Sequence, residues 1–448
     1  MMKLGNSAWK GVALAGLMTG FIACQQQDPN KLLGEPNAVP CPPDTGGVGG
    51  SAGSGNATGG SPGTGGGSTS SSGSMATGTS SSGGTSSSSG GATGNATLDA
   101  RVISYTEALR TASLKLTGKM PSLKEMEDVR LSPNQKQTYE QLVDLYMNSP
   151  RFPARMIELW KNTFRSGGAA AGNVPNRDGA PNFAAKLITE GLDYRLMFTA
   201  TNGTCPTFDP MTGVFTAADC ANGPVTAGVL TDQGLMYQYA SALAFRRTRF
   251  IQETFTCRKM PAEWGPNPVQ KGAGTYTSPW PFESIGDLSN GGRIAFQDTT
   301  AAVCANCHTT MNHRSPLFAV YDDSGKYVEP KPGMSGALEY SMVVPVEGSP
   351  FAMMSDYLIP GETTAWKFGK PAATVLEFGQ HMAADDEIAR CAVVRMWNYA
   401  FSKGDAVYDL GDVPDSVIGP LVNDFKANGY NLRNTLRAVF VHDDFVRY

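Results

Sequence analysis

The chain has 448 residues, 17% of them charged, a formal net charge of −4 and a pI near 5.7. That balance supplies no basic field, which excludes nucleic acid and an anionic membrane surface as electrostatic partners. The length alone suggests two or three domains, but the first hundred residues lack the apolar content of a fold.

Lys3 and Lys10 flank the start of an apolar run, Gly11 to Ile22, that carries no charge. It is too short to span a bilayer and has the form of an export signal. Phe21-Ile22-Ala23-Cys24 sets a small residue before a cysteine and resembles the lipobox of bacterial lipoproteins. The resemblance implies a signal peptide at 1–23 and a lipid on Cys24. With Gln25 next, it also implies a lipid anchor in the outer membrane of a bacterial cell envelope, on its periplasmic or surface face. An ordinary secretory signal is the alternative, and it leads to the same oxidising space. Residues 24–97 then form the expected disordered, Gly/Ser/Thr-rich linker. From Thr45 to Thr97 it holds almost only Gly, Ser, Thr and Ala and cannot bury enough apolar surface to offset its ordering entropy. Some fifty such residues span about 40 Å.

The remainder is expected to be mainly α, with helical domains interrupted by long irregular loops. Residues 98–256 form an N-terminal helical domain with a loop insertion at 166–230. Here Ser122 and Glu125 have capping-box spacing, Pro133 sits just inside a third helix, and Ser149-Pro150 opens a fourth. Tyr139, Val143 and Tyr146 share one helical face, as do Phe152, Met156 and Trp160. Cys205 and Cys220 enclose a stretch rich in turn formers, which in an oxidising space predicts a disulfide. Thr231 to Phe255 reads as one long helix whose Arg246, Arg247 and Arg249 suit its C-terminus or the propionates of a haem.

Residues 257–378 hold the chemistry. Cys304-Ala305-Asn306-Cys307-His308 is the C-x-x-C-H spacing of covalent c-type haem attachment, and with 8 Cys and 4 His it would arise by chance only ~0.001 times. Cys304 and Cys307 would form the thioethers and His308 would bind the iron on its proximal side, one haem c in all. A disulfide or a zinc site at Cys304 and Cys307 is the competing chemistry. Leu288 to Thr300 leads in as a short helix. Asp322-Asp323-Ser324-Gly325 is a turn without the ligand spacing of an EF-hand. Residues 379–448 return to helix as a C-terminal domain: Ile388 to Tyr399, Val417 to Phe425 ending at Asn428-Gly429, and Leu432 to Phe440.

Leu114-Lys115-Leu116-Thr117-Gly118, Tyr139 to Val143 and Ser149-Pro150-Arg151-Phe152 resemble the opening of the planctomycete-type cytochrome-like proteins, built of tandem domains of unknown function. Gly228 to Thr231 with Phe255-Thr256-Cys257 resembles their middle domain, and Cys304 to Tyr327 their haem-motif segment. Ala389-Arg390-Cys391, Trp397 to Ala400 and Gly429 to Leu432 resemble their closing domain. The Cys205–Cys220 insertion and Ser402-Lys403-Gly404 depart from the pattern. The resemblance implies haem binding, electron transfer and a Cys257–Cys391 disulfide. Cys41 is then the odd thiol, either unpaired or bridged to another chain.

The sixth iron position decides between electron carriage and small-molecule chemistry. His313 lies too near His308 to reach the opposite face, and Met353 or Met354 lies far enough along the chain to fold over it. After residue 97 the sequence has no P-loop, G-x-S-x-G or H-E-x-x-H motif, and the G-x-S-x-G matches at Gly49–Gly53 and Gly59–Gly63 belong to the low-complexity linker. The expected function is therefore a membrane-tethered monohaem cytochrome passing single electrons to a redox protein partner, an electron carrier or accessory protein rather than a self-contained enzyme. The alternatives are a non-redox envelope scaffold and the electron-delivering subunit of an oxidoreductase.

Overall fold

A computed structural model describes residues 100–448 apart from 241, 261–268, 272, 273, 277–301, 333–337, 340, 341, 344–350, 353–356, 359, 360, 368, 405 and 410–412. Cys24, the linker at 24–97, Cys41, the segment 288–300, Met353 and Met354 lie outside the described residues. At 302–309 the description is of the backbone path.

The fold is mainly helical and begins with α1 (Tyr105–Thr117), α2 (Leu123–Leu131), α3 (Gln135–Met147) and α4 (Phe152–Phe164). The capping box at α2 is formed: Ser122 Oγ accepts from Glu125 N at 3.2 Å, and Glu125 Oε2 accepts from Ser122 N at 2.7 Å. Pro133 does not start α3. Asn134 is the N-cap, accepting from Gln137 N at 3.1 Å, because its side-chain carbonyl satisfies a free N–H that proline cannot. Likewise α4 opens at Phe152 with Pro153, not Pro150, in its first turn.

The region expected to be loop contains a helix, α5 (Gly179–Thr189), and a short one, α6 (Leu196–Thr199). α5 is buried on nearly every side, and it follows directly on the turn formers Pro175-Asn176-Arg177-Asp178 with Pro181 in its first turn, which is why the stretch reads as loop. The hairpin β1 (Thr207–Asp209) and β2 (Val214–Thr216) lies inside the Cys205–Cys220 disulfide, whose Cα atoms are 5.1 Å apart.

The long helix expected over 231–255 does not exist. A 3-10 turn at Gly228–Thr231 leads to α7 (Gln233–Gln238), then a second one at Ala242–Ala244, then α8 (Phe245–Thr256). Leu243 and Ala244 take positive φ angles of 66° and 57°, which reverse the chain. The reversal stacks Tyr239 on Phe250 with ring centroids 4.0 Å apart. In a straight helix those residues would be about 16 Å apart. Tyr239 also donates to the Phe164 carbonyl at 2.8 Å. Tertiary packing of aromatic area outweighs local helix propensity here.

The motif helix α9 (Ala302–Ala319) is followed by short two-stranded pairs, of which Ala365–Lys367 and Lys370–Pro371 come last. Five helices close the chain: α10 (Val375–Ala383), α11 (Asp386–Ala400), the one-turn α12 (Ala406–Asp409), α13 (Asp415–Ala427) and α14 (Leu432–Phe440), with a final turn α15 (Asp443–Val446). They dock on the opening helices. Tyr139 donates to the Phe440 carbonyl at 2.6 Å, and Arg437 grips Asp144 at 2.5 and 2.9 Å. Val102 and Tyr448 exchange backbone hydrogen bonds of 3.0 Å in both directions. One core cluster holds Phe164, Phe255, Phe318, Phe378, Val393 and Leu436 together. The Cys257–Cys391 disulfide, Cα atoms 5.4 Å apart, joins the end of α8 to α11. Among the described residues, no helix is long and apolar enough to cross a membrane.

Candidate haem-attachment helix

Cys304, Cys307 and His308 lie in the first half of α9. Their offsets of three and four residues put all three positions on one helical face within about one turn. That backbone arrangement fits the donor set of two thiols and one imidazole that a covalently bound haem needs.

The second half of the helix is fixed into the core. Asn312, Arg314, Ser315, Phe318 and Ala319 are all buried. Arg247 of α8 is wholly buried and gives its guanidinium to four carbonyls: Met236 at 3.0 Å, Phe318 at 3.0 Å, Tyr321 at 2.6 Å and Asp322 at 2.7 Å. Three of those acceptors belong to the last turn of α9 and the chain just beyond it. A cation there meets the negative end of the helix dipole and the carbonyls a helix leaves open. This corrects the expected place of the arginines at a helix C-terminus. Arg246, Arg247 and Arg249 open α8 rather than close it. Arg247 is committed to carbonyls, Arg249 to Glu253 at 2.8 Å, and Arg246 reaches the Ala240 carbonyl at 3.3 Å.

A second arginine holds α9 from its side. Arg314 donates to the Trp366 carbonyl at 2.9 Å and to Gln252 Oε1 at 2.6 Å, with its guanidinium 4.0 Å from the Trp366 ring. Burial lowers its pKa to about 9, against the opposing pull of Asp385 and Glu387. Around it runs a polar chain: Trp366 Nε1 donates to Asp385 Oδ2 at 2.7 Å, and Lys367 bridges Asp385 at 2.5 Å and Glu387 at 2.7 Å. Burial pushes the Asp385 carboxyl up, but Lys367, the Trp366 indole and the Glu387 N–H outweigh it and hold it below its usual value. Thr248 and Ser315 share a buried hydroxyl contact of 3.0 Å between α8 and α9.

The other histidines are engaged elsewhere. His313 Nε2 faces Glu362 Oε2 at 3.3 Å, His381 Nε2 meets the Pro371 carbonyl at 2.8 Å, and His442 Nδ1 accepts from Asp444 N at 3.1 Å to cap α15. Asp322 makes the expected turn, its Oδ1 accepting from Ser324 N and Lys326 N at 2.9 Å each.

Cys205 Sγ and Cys220 Sγ each lie 3.5 Å from Asp232 Oδ2. Sequence reading paired the cysteines but had no signal for the acid between them. Asp232 is buried, and burial raises its pKa to about 7 although the N–H groups of Leu235, Gly234 and Ala180 pull it down.

No curated protein and no solved structure matches the chain. Residues 95–184, which cover α1 to α4 and reach into α5, match the family described as PSCyt2, protein of unknown function (DUF1549), in agreement with the resemblance of the opening helices.

Proposed function

We propose that this protein is a monohaem c-type cytochrome, tethered to the bacterial envelope by a lipid on Cys24, that passes single electrons to a redox protein partner. The observation that carries the reading is the C-x-x-C-H spacing lying on one face of a single helix whose far half is locked in the core. A family match of the opening helices to PSCyt2 supports it.

A bound haem supplies a one-electron iron couple. Cys304 and Cys307 would hold it by thioethers and His308 would bind its iron. Arg247 and Arg314 tie the second half of α9 into the core, which anchors the helix that carries the motif. Met353 or Met354 would be the further candidate to bind that iron. A linker of that Gly/Ser/Thr-rich composition would let the body range over the membrane to meet a partner.

The test is production of the full chain in a host that matures c-type cytochromes. A sharp reduced α-band and a mass raised by one haem are expected, and C304S/C307S should lose both. A colourless wild-type protein whose mass is lower by two protons at Cys304 and Cys307 would overturn the proposal.

A further inference from the structure

The two disulfides sit in different chemical surroundings. Cys257 and Cys391 are both buried, and their sulfurs face backbone carbonyls: Cys257 Sγ lies 3.7 Å from the Cys391 carbonyl and Cys391 Sγ 3.6 Å from that of Thr254. Cys205 is partly exposed, and both sulfurs of its bridge touch one carboxylate oxygen.

Asp232 divides its carboxylate between two tasks. Oδ1 caps α7, accepting from Leu235 N at 2.8 Å. Oδ2 is the oxygen turned to the sulfurs. Neither sulfur of a closed bridge carries a proton, so an ionised Asp232 sets acceptor against acceptor, and a protonated one has only a weakly accepting disulfide to donate to. Opening the bridge changes that, because a thiol can donate to Oδ2 and a carboxylic acid can donate to a thiolate. The arrangement is thus complementary to the dithiol rather than to the disulfide. The space is shaped for it: a Cβ on Gly179 would fall 2.7 Å from Asp232 Oδ2 and 2.9 Å from Cys205 Sγ.

We infer that Cys205–Cys220 is a thiol–disulfide exchange site, with Asp232 as its proton donor, whose substrate is a dithiol reductant of the surrounding compartment. A thiolate of the reductant attacks the sulfur of the partly exposed Cys205, and the Cys205–Cys220 bond breaks. The Cys220 sulfur leaves with the electron pair and takes a proton from Asp232. The second thiol of the reductant then closes on the mixed disulfide and releases Cys205, which takes the proton that thiol gives up. Asp232 recovers the proton lost when the first thiol ionised, so one protein bridge is reduced and one dithiol oxidised. The raised proton affinity of the buried acid keeps a proton available near neutral pH. The inference is independent of whether Cys304 and Cys307 carry haem.

The experiment exposes the folded, fully oxidised chain to dithiothreitol without denaturant, quenches with an alkylating agent and follows both bridges by peptide mass spectrometry. Cys205–Cys220 should open at least about tenfold faster than Cys257–Cys391, and D232N, which keeps an Oδ1 for the cap, should slow it by about a hundredfold. Simultaneous opening of both bridges, or a wild-type rate in a D232N protein with its Cys257–Cys391 bridge intact, would overturn it. If D232N does not fold, infrared difference spectra of the wild type on reduction serve instead. A carboxylic C=O band that shifts as Cys205–Cys220 opens is expected, and an unchanged band refutes the role of Asp232.

Discussion

Arg247 Nη1 donates to the Tyr321 carbonyl at 2.6 Å, binding the first turn of α8 to the chain just past the helix that bears Cys304, Cys307 and His308. A buried cation satisfied by several carbonyls is costly to remove, because the acceptors lose its N–H groups, although the Asp322 carbonyl still accepts from Gly325 N at 3.0 Å.

R247A is therefore expected to destabilise the protein by about 3–5 kcal/mol, and R247K to recover little, since one ammonium cannot span the same acceptors. Urea denaturation of the three proteins checks this. A loss under about 1 kcal/mol in R247A would show that the carbonyls find water instead.

Gly379 lies in α10 where the helix crosses α6, and a Cβ there would fall 2.2 Å from the Phe198 carbonyl oxygen. G379A should cost about 2–3 kcal/mol through overpacking, although alanine is the better helix former. A thermal midpoint equal to or above that of the parent would contradict the close crossing.

Breaking the Cys257–Cys391 bridge releases a crosslink between residues 134 apart in sequence. C257S/C391S should lose roughly 3–5 kcal/mol, the larger share through the unfolded chain. Calorimetry of the double variant against the oxidised parent measures it.

Asp232 gives stability a pH dependence with a definite sign. Its carboxyl is pushed by burial from 3.8 to about 7, so in that window the folded chain holds a proton the unfolded chain has released. The contribution is complete below 3.8 and is lost as pH rises to about 7, a change on the order of 4 kcal/mol. Denaturation at a series of pH values, with the Cys205–Cys220 bridge closed, should show that decline in the wild type and not in D232N.

Much of the architecture was legible along the chain because it is local. Ser122 and Glu125 lie within one turn, and the faces of α3, α4 and α11 repeat at helical spacing, so near neighbours alone announce them. The Cys205–Cys220 pair was legible for the same reason, and the Cys257–Cys391 pair came from the order of family-like segments.

What the sequence determined by itself is the chemistry on offer: a C-x-x-C-H pentapeptide, a helical content and an array of cysteines. Only the tertiary structure decided where helices break and what buried charges do. Tyr239 leaves its helix because Phe250 and the Phe164 carbonyl lie across a reversal. Arg247, expected near a helix C-terminus, becomes a clamp at a helix start, and Asp232 becomes the neighbour of two sulfurs. Each of these depends on partners far along the chain, and the burial that fixes their energies exists only once those partners have met.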